Sequence, residues 1–96
     1  MTDEEIREKV KADLRFDFDD LDNDVSDNIS AALLELRAAG VKSGTEEMDM
    51  LTLRAVKLYC RWQYNFDGRA EQYEKAYSAL KTALSLDTDH REGVGS

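Results

Sequence analysis

Carboxylates that could serve as paired acid and base abound in this 96-residue chain, but they fall in a loop and in first helical turns, where capping explains them. The one cysteine, Cys60, and the one histidine, His90, are the candidates for a Cys–His nucleophile pair. Such a pair needs an exposed thiol within hydrogen-bond reach of an oriented imidazole. Cys60 falls among apolar residues at helical spacing, which predicts a small buried hydrophobe in a reducing compartment. His90 falls in an aperiodic C-terminal stretch, where no neighbour is expected to orient it. The acidic run FDFDDLDND at 16–24 invites a calcium reading, since an EF-hand loop places acids at its first, third and fifth positions. Counted from Asp20 these are Asp20, Asp22 and Asp24, but Val25 then stands where the turn glycine belongs and Ala31 where the bidentate glutamate belongs. Counted from Asp17, the fifth position is Leu21. There is no glycine-rich phosphate loop and no Cys/His ligand cluster. The expectation is no catalytic residue, no cofactor and no metal: a protein that is not an enzyme.

The residues that remain are those that could meet another macromolecule. Arg54, Lys57 and Arg61 share one side of a predicted helix and form a cationic strip, with Lys75 and Lys81 nearby. Leu53, Val56, Cys60 and Tyr64 make a narrow apolar stripe on the same helix, which either joins the core or docks against another subunit. These seven positions are the candidate interface, facing a subunit or a channel. The net charge of −8 is unevenly spread. Residues 1–49 hold 15 acids and 6 bases, whereas residues 50–86 hold 3 acids and 6 bases. An acidic half and a basic half allow copies of one chain to pair head to side. The same acidity disfavours nucleic acid, because phosphate binding calls for a net basic domain and like charge repels within a screening length of roughly 8–10 Å.

One predicted helix positions these residues. Over Met48–Phe66, apolar residues recur at Met48, Leu51, Ala55, Leu58, Tyr59, Trp62 and Phe66, a stripe with the period of an α-helix. Two apolar stripes and one cationic edge describe a central helix with neighbours on two sides. Before it, Thr2 and Glu5 match a capping box for a first helix over about 3–13, with Ile6 and Val10 as its apolar positions. Phe16, Phe18 and Leu21 are expected to tuck inward as a lid. A second helix is predicted over Val25–Ala39, capped by Asn23 or Asp24 and closed by Gly40 in a left-handed conformation. Ser43 or Thr45 is expected to cap the central helix, with Glu46, Glu47 and Asp49 in its first turn. Asp67-Gly68 signals a tight turn into a fourth helix over 69–86, with Tyr73, Tyr77, Leu80 and Leu84 on its stripe. Helices three and four are thus predicted to form a long antiparallel hairpin. With no proline and helix formers throughout, the fold expected is all-α: one small domain of four helices over residues 1–86 and a flexible tail over 87–96. No apolar run reaches the roughly 20 residues that span a bilayer, and no signal peptide is expected at the acidic N-terminus.

The second half, LTLRAVKLYCRWQYNFDGRAEQYEKAYSALKTALSLDTD, resembles the small head–tail connector proteins of tailed bacteriophages and prophages. The features that carry the likeness are Ala55, Tyr59, Tyr64 and Phe66 on one helix, the turn Asp67-Gly68, and Ala70, Tyr73, Tyr77, Leu80 and Leu84 on the next. The N-terminal half is similar more loosely, through a short acidic helix, an Asp-rich loop and a helix ending in AAGV. The likeness spans about residues 5–88 and does not extend to 89–96. It implies an all-α structural protein of the virion, assembled as a ring beneath the portal and presenting a platform to the tail. It implies portal and tail-completion proteins as partners, and the host cytoplasm as the place of assembly. A small helical adaptor or regulator, binding one protein through the Cys60 face, is the alternative from another class.

Overall fold

The computed structural model describes residues 1–44, 48–87 and 89–91. It holds four α-helices: α1 (Asp3–Leu14), α2 (Asp22–Ala38), α3 (Met50–Gln63) and α4 (Ala70–Leu86). A 3₁₀ turn, Phe66–Gly68, lies between α3 and α4. Among the described residues there is no strand, only an isolated antiparallel bridge between Val41 and Arg91. The all-α expectation and the α3–α4 hairpin are both met.

Several helix ends have a local cause. The Thr2 hydroxyl accepts from the Glu5 amide and the Glu5 carboxylate accepts from the Thr2 amide, so the predicted capping box starts α1. Arg15 closes α1 in the left-handed region at φ 61. Gly40 takes φ +86 after α2, the conformation expected of it. The other predicted caps differ. α2 begins at Asp22, three residues earlier than expected, and its cap position is Leu21, with no side-chain hydrogen bond. Asn23 and Asp24 lie inside its first turn, where Asp22 and Asp24 face the positive helix end. α3 begins at Met50, and Asp49 caps it by accepting from the Thr52 amide at 2.8 Å. Asp49 is the residue whose carboxylate lies three before a free helical amide, so it displaces Ser43 from that role. Thr45, Glu46 and Glu47 lie outside the described residues.

The core is one cluster spanning all four helices. Ile6, Val10 and Leu14 of α1 and Val25, Ile29, Ala32 and Leu36 of α2 close over α3, whose Leu53, Ala55, Val56, Leu58, Tyr59 and Cys60 are all buried. Thus α3 is central, as its two stripes predict. The lid is only partly formed. Phe16 and Leu21 pack on the core, whereas Phe18 is 42% exposed and rests on the Phe16 ring at 5.2 Å.

Aromatic side chains join α4 to α3. Tyr77 is 1% exposed, meets Tyr59 edge-on at 5.3 Å and lies 6.1 Å from Trp62, and Phe66 lies 6.3 Å from Tyr73. Offset and edge-to-face pairs of this kind add to the stabilisation from area burial. Three backbone positions with positive φ, at Asn65, Asp67 and Gly68, turn the chain between the helices. The Tyr77 hydroxyl crosses to α2, donating to Glu35 at 3.1 Å, while Lys81 Nζ lies 3.4 Å from the same carboxylate oxygen. Tyr77→Ala should therefore lower unfolding stability by about 3–5 kcal/mol, and Tyr77→Phe, which keeps the ring, by about 1 kcal/mol, both read by urea denaturation.

Candidate interaction surface

The structure separates the seven candidate interface residues into two groups. Leu53, Val56 and Cys60 are packed by helices of their own chain; Val56 and Cys60 have no exposed surface. Of the two readings open for this stripe, membership of the chain's own core describes these three. Tyr64, at the end of α3, is half-buried, meets Phe16 edge-on at 5.3 Å and donates its hydroxyl to Asp24. Burial, with the Asp24 carboxylate, pushes the Tyr64 phenol well above its ordinary range, so it stays a donor.

The cationic side chains divide likewise. Arg61 grips Asp13 of α1 through two parallel bonds, Nε to Oδ2 at 2.7 Å and Nη2 to Oδ1 at 2.6 Å. Its guanidinium also stands 5.2 Å from the Phe66 ring centre and 5.3 Å from that of Tyr73. The bond to Asp13 raises the Arg61 pKa, against an opposing effect of burial. Arg61 therefore fastens α1 and α4 to α3 and is engaged within the chain. Arg54 is exposed, Lys57 is half-exposed, and neither has an ion-pair partner among the described residues. With Asp13, Leu58 and Arg61 they line a notch of about 60 Å³. Its cationic rim is the part of the predicted strip left facing solvent.

Three residues outside the predicted set organise the rest of the surface. Lys11 is 5% exposed, and its ammonium lies 2.8 Å from both Asp19 and Asp22 and 3.8 Å from Glu8. Donating to Asp19, and then to Asp22, pushes the Lys11 pKa far up. This ion cluster ties the acidic loop to α1, which gives that loop a structural purpose. Its sequence signal is the row Arg7, Lys11, Leu14, two cations aligned with an apolar position beside an Asp-rich loop. Glu35 is the second, holding α4 as described. The third is His90, which the aperiodic pattern left unoriented; in the structure it contacts Asp87 and Asp49.

Burial also fixes what Cys60 can do. It pushes the thiol up to about 12, with the Asp13 and Asp24 charges acting in the same direction. A thiol held protonated inside the core is neither a nucleophile nor a docking face, so the adaptor reading through Cys60 has no surface to use. Among the described residues, no group of three or more His, Cys, Asp or Glu side chains could hold a metal ion, and no helix is long and apolar enough to cross a membrane.

With the site reduced to a cationic rim on an all-α scaffold, the comparison with known families is decisive. A family model described as phage connector protein matches residues 6–91. The chain belongs to the phage connector protein family. No curated protein and no solved structure matches it. The match runs from Ile6, inside α1, to Arg91, so it takes in the acidic N-terminal half as well as the hairpin. The family is one of structural virion proteins that associate with portal and tail components.

Two measurements check the site as built. Cys60 should resist an alkylating reagent in the native protein and react in step with global unfolding in urea, as mass spectrometry would show. Arg61→Ala should cost roughly 1 kcal/mol, since the pair with Asp13 is partly solvent-screened, and the double variant with Asp13→Ala should cost less than the sum of the two single changes in a thermal melt.

Proposed function

We propose that this connector is a ring-forming component of a tailed phage or prophage, set at the portal vertex, where it joins the DNA-filled head to the tail. The observation that carries this reading is the family match across residues 6–91. The surface supports it. Arg54 and Lys57 present positive charge on one side of α3, while Glu4, Asp17, Asp20 and Asp27 leave acids exposed on α1, the loop and α2. Different patches of opposite sign suit a heterologous contact, the kind that closes a ring of identical subunits. Portal and tail-completion proteins are the partners in this reading, and the virion is the final location.

The direct test is to mix the protein with purified portal and image the particles. A ring of added density at one end of the portal is expected, and unaltered portal particles would sink the proposal. The seam is tested separately. Arg54→Glu with Lys57→Glu should abolish the oligomers seen by light scattering on portal-assembled rings, with helicity by circular dichroism unchanged. Arg61 is excluded from this reversal because a glutamate there would face the Asp13 carboxylate within the chain. Rings that persist with both charges reversed would place Arg54 and Lys57 away from the seam.

A further inference from the structure

Beyond α4, residues 89–91 lie against the Val41–Lys42 connection through backbone, with His90 as the side chain that fastens them. The His90 and Arg91 amides donate to the Asp87 carbonyl at 3.0 and 2.8 Å, and the Asp89 amide donates to the Asp87 carboxylate at 2.9 Å. This turn brings Arg91 beside Val41, and the Lys42 amide donates to the His90 carbonyl at 2.7 Å. Val41 is fully buried. The His90 imidazole, 15% exposed, lies between two carboxylates: Nδ1 is 2.8 Å from Asp87, and Nε2 contacts Asp49. Asp49 is also the cap of α3.

We propose that Asp87 and residues 89–91 form a pH-sensitive latch, in which the doubly protonated His90 ring bridges the end of α4 to the start of α3 and releases the segment when it loses a proton. The geometry requires the charged ring. An ionised carboxylate only accepts hydrogen bonds, so both ring nitrogens must donate, and only the imidazolium has two N–H groups. The neutral ring turns one lone pair toward a carboxylate and loses one arm of the bridge. Among the described residues, the titratable groups facing the ring are Asp87, just after α4, and Asp49, just before α3; the Val41–Lys42 connection meets the segment through backbone.

The pH window follows. The Asp87 hydrogen bond, with Asp49, raises the His90 pKa above its ordinary 6.5, so the ring's contribution is complete below that value and is lost as pH rises through the folded pKa. Asp87 is held below 3.8 by its bonds to the Asp89 amide and His90. Burial works to raise Asp49, but Thr52 and His90 outweigh it. Their contribution is present above 3.8 and is lost as pH falls through the lowered values. The latch is therefore most secure between the two ranges, and it opens as pH rises through the raised His90 pKa.

This inference stands on contacts within one chain and is independent of the connector reading. Its test is amide hydrogen exchange by NMR on the full chain, from about pH 5.5 to about pH 8.5, after correction for intrinsic base catalysis. Protection of the Lys42 amide should fall several-fold over that range while the Leu36 amide, deep in α2, stays unchanged. His90→Gln should give weak Lys42 protection with no pH dependence. Lys42 protection that is flat with pH in the native chain, or the same in His90→Gln as in the native chain, would overturn the latch.

Discussion

Everything in this small domain depends on burying α3 on two sides at once. Fourteen residues carry two apolar stripes, and a chain of this size has one modest core to hide them in. Residues of α1 and α2 share one buried cluster with Leu53, Val56 and Cys60, while Tyr77 of α4 packs on Tyr59 and Trp62. Because α3 is enclosed from both directions, its polar residues are confined to a narrow edge. That edge is cationic, and the intramolecular bond to Asp13 removes Arg61 from it. The exposed remainder, Arg54 and Lys57, follows from the packing rather than from a separately built site.

The same constraint explains the charges. The N-terminal half is strongly acidic, and self-repulsion opposes its compaction. Cations answer it at points where elements meet: Lys11 holds the acidic loop, Arg61 holds α1 to the central helix, and Lys81 reaches Glu35 of α2. Lys11 and Arg61 lie at the margin of the core, where a long aliphatic stem packs and a charged head reaches several acceptors. What is left unpaired on the surface is acidic on α1, the loop and α2 and basic along α3. Such a polarity suits contacts between surfaces of opposite sign, as the ring proposed above would require.

Helix existence, order and type were legible in the chain because apolar residues recur with the period of an α-helix and no proline interrupts them. So was the hairpin, since Asp67-Gly68 leaves too little chain for any connection but an antiparallel one. The Thr2–Glu5 box and the Gly40 terminator were legible because each is satisfied within four residues of itself. The caps of α2 and α3 were not. Several acids compete there, and the choice is set by where packing lets each helix begin: Lys11 draws Asp22 into α2, and Asp49 is shared between Thr52 and His90.

Sequence alone therefore determined the all-α class, the central place of Met50–Gln63 and the presence of a cationic strip, since these depend on residue type and local period. Tertiary structure alone decided that Leu53, Val56 and Cys60 are core, that Arg61 is engaged by an acid 48 residues away, and that His90 is clasped by Asp87 and Asp49. The physical reason is range. A helix is specified by neighbours three and four positions apart, whereas a contact between charges distant in sequence is specified only when the core brings their elements together.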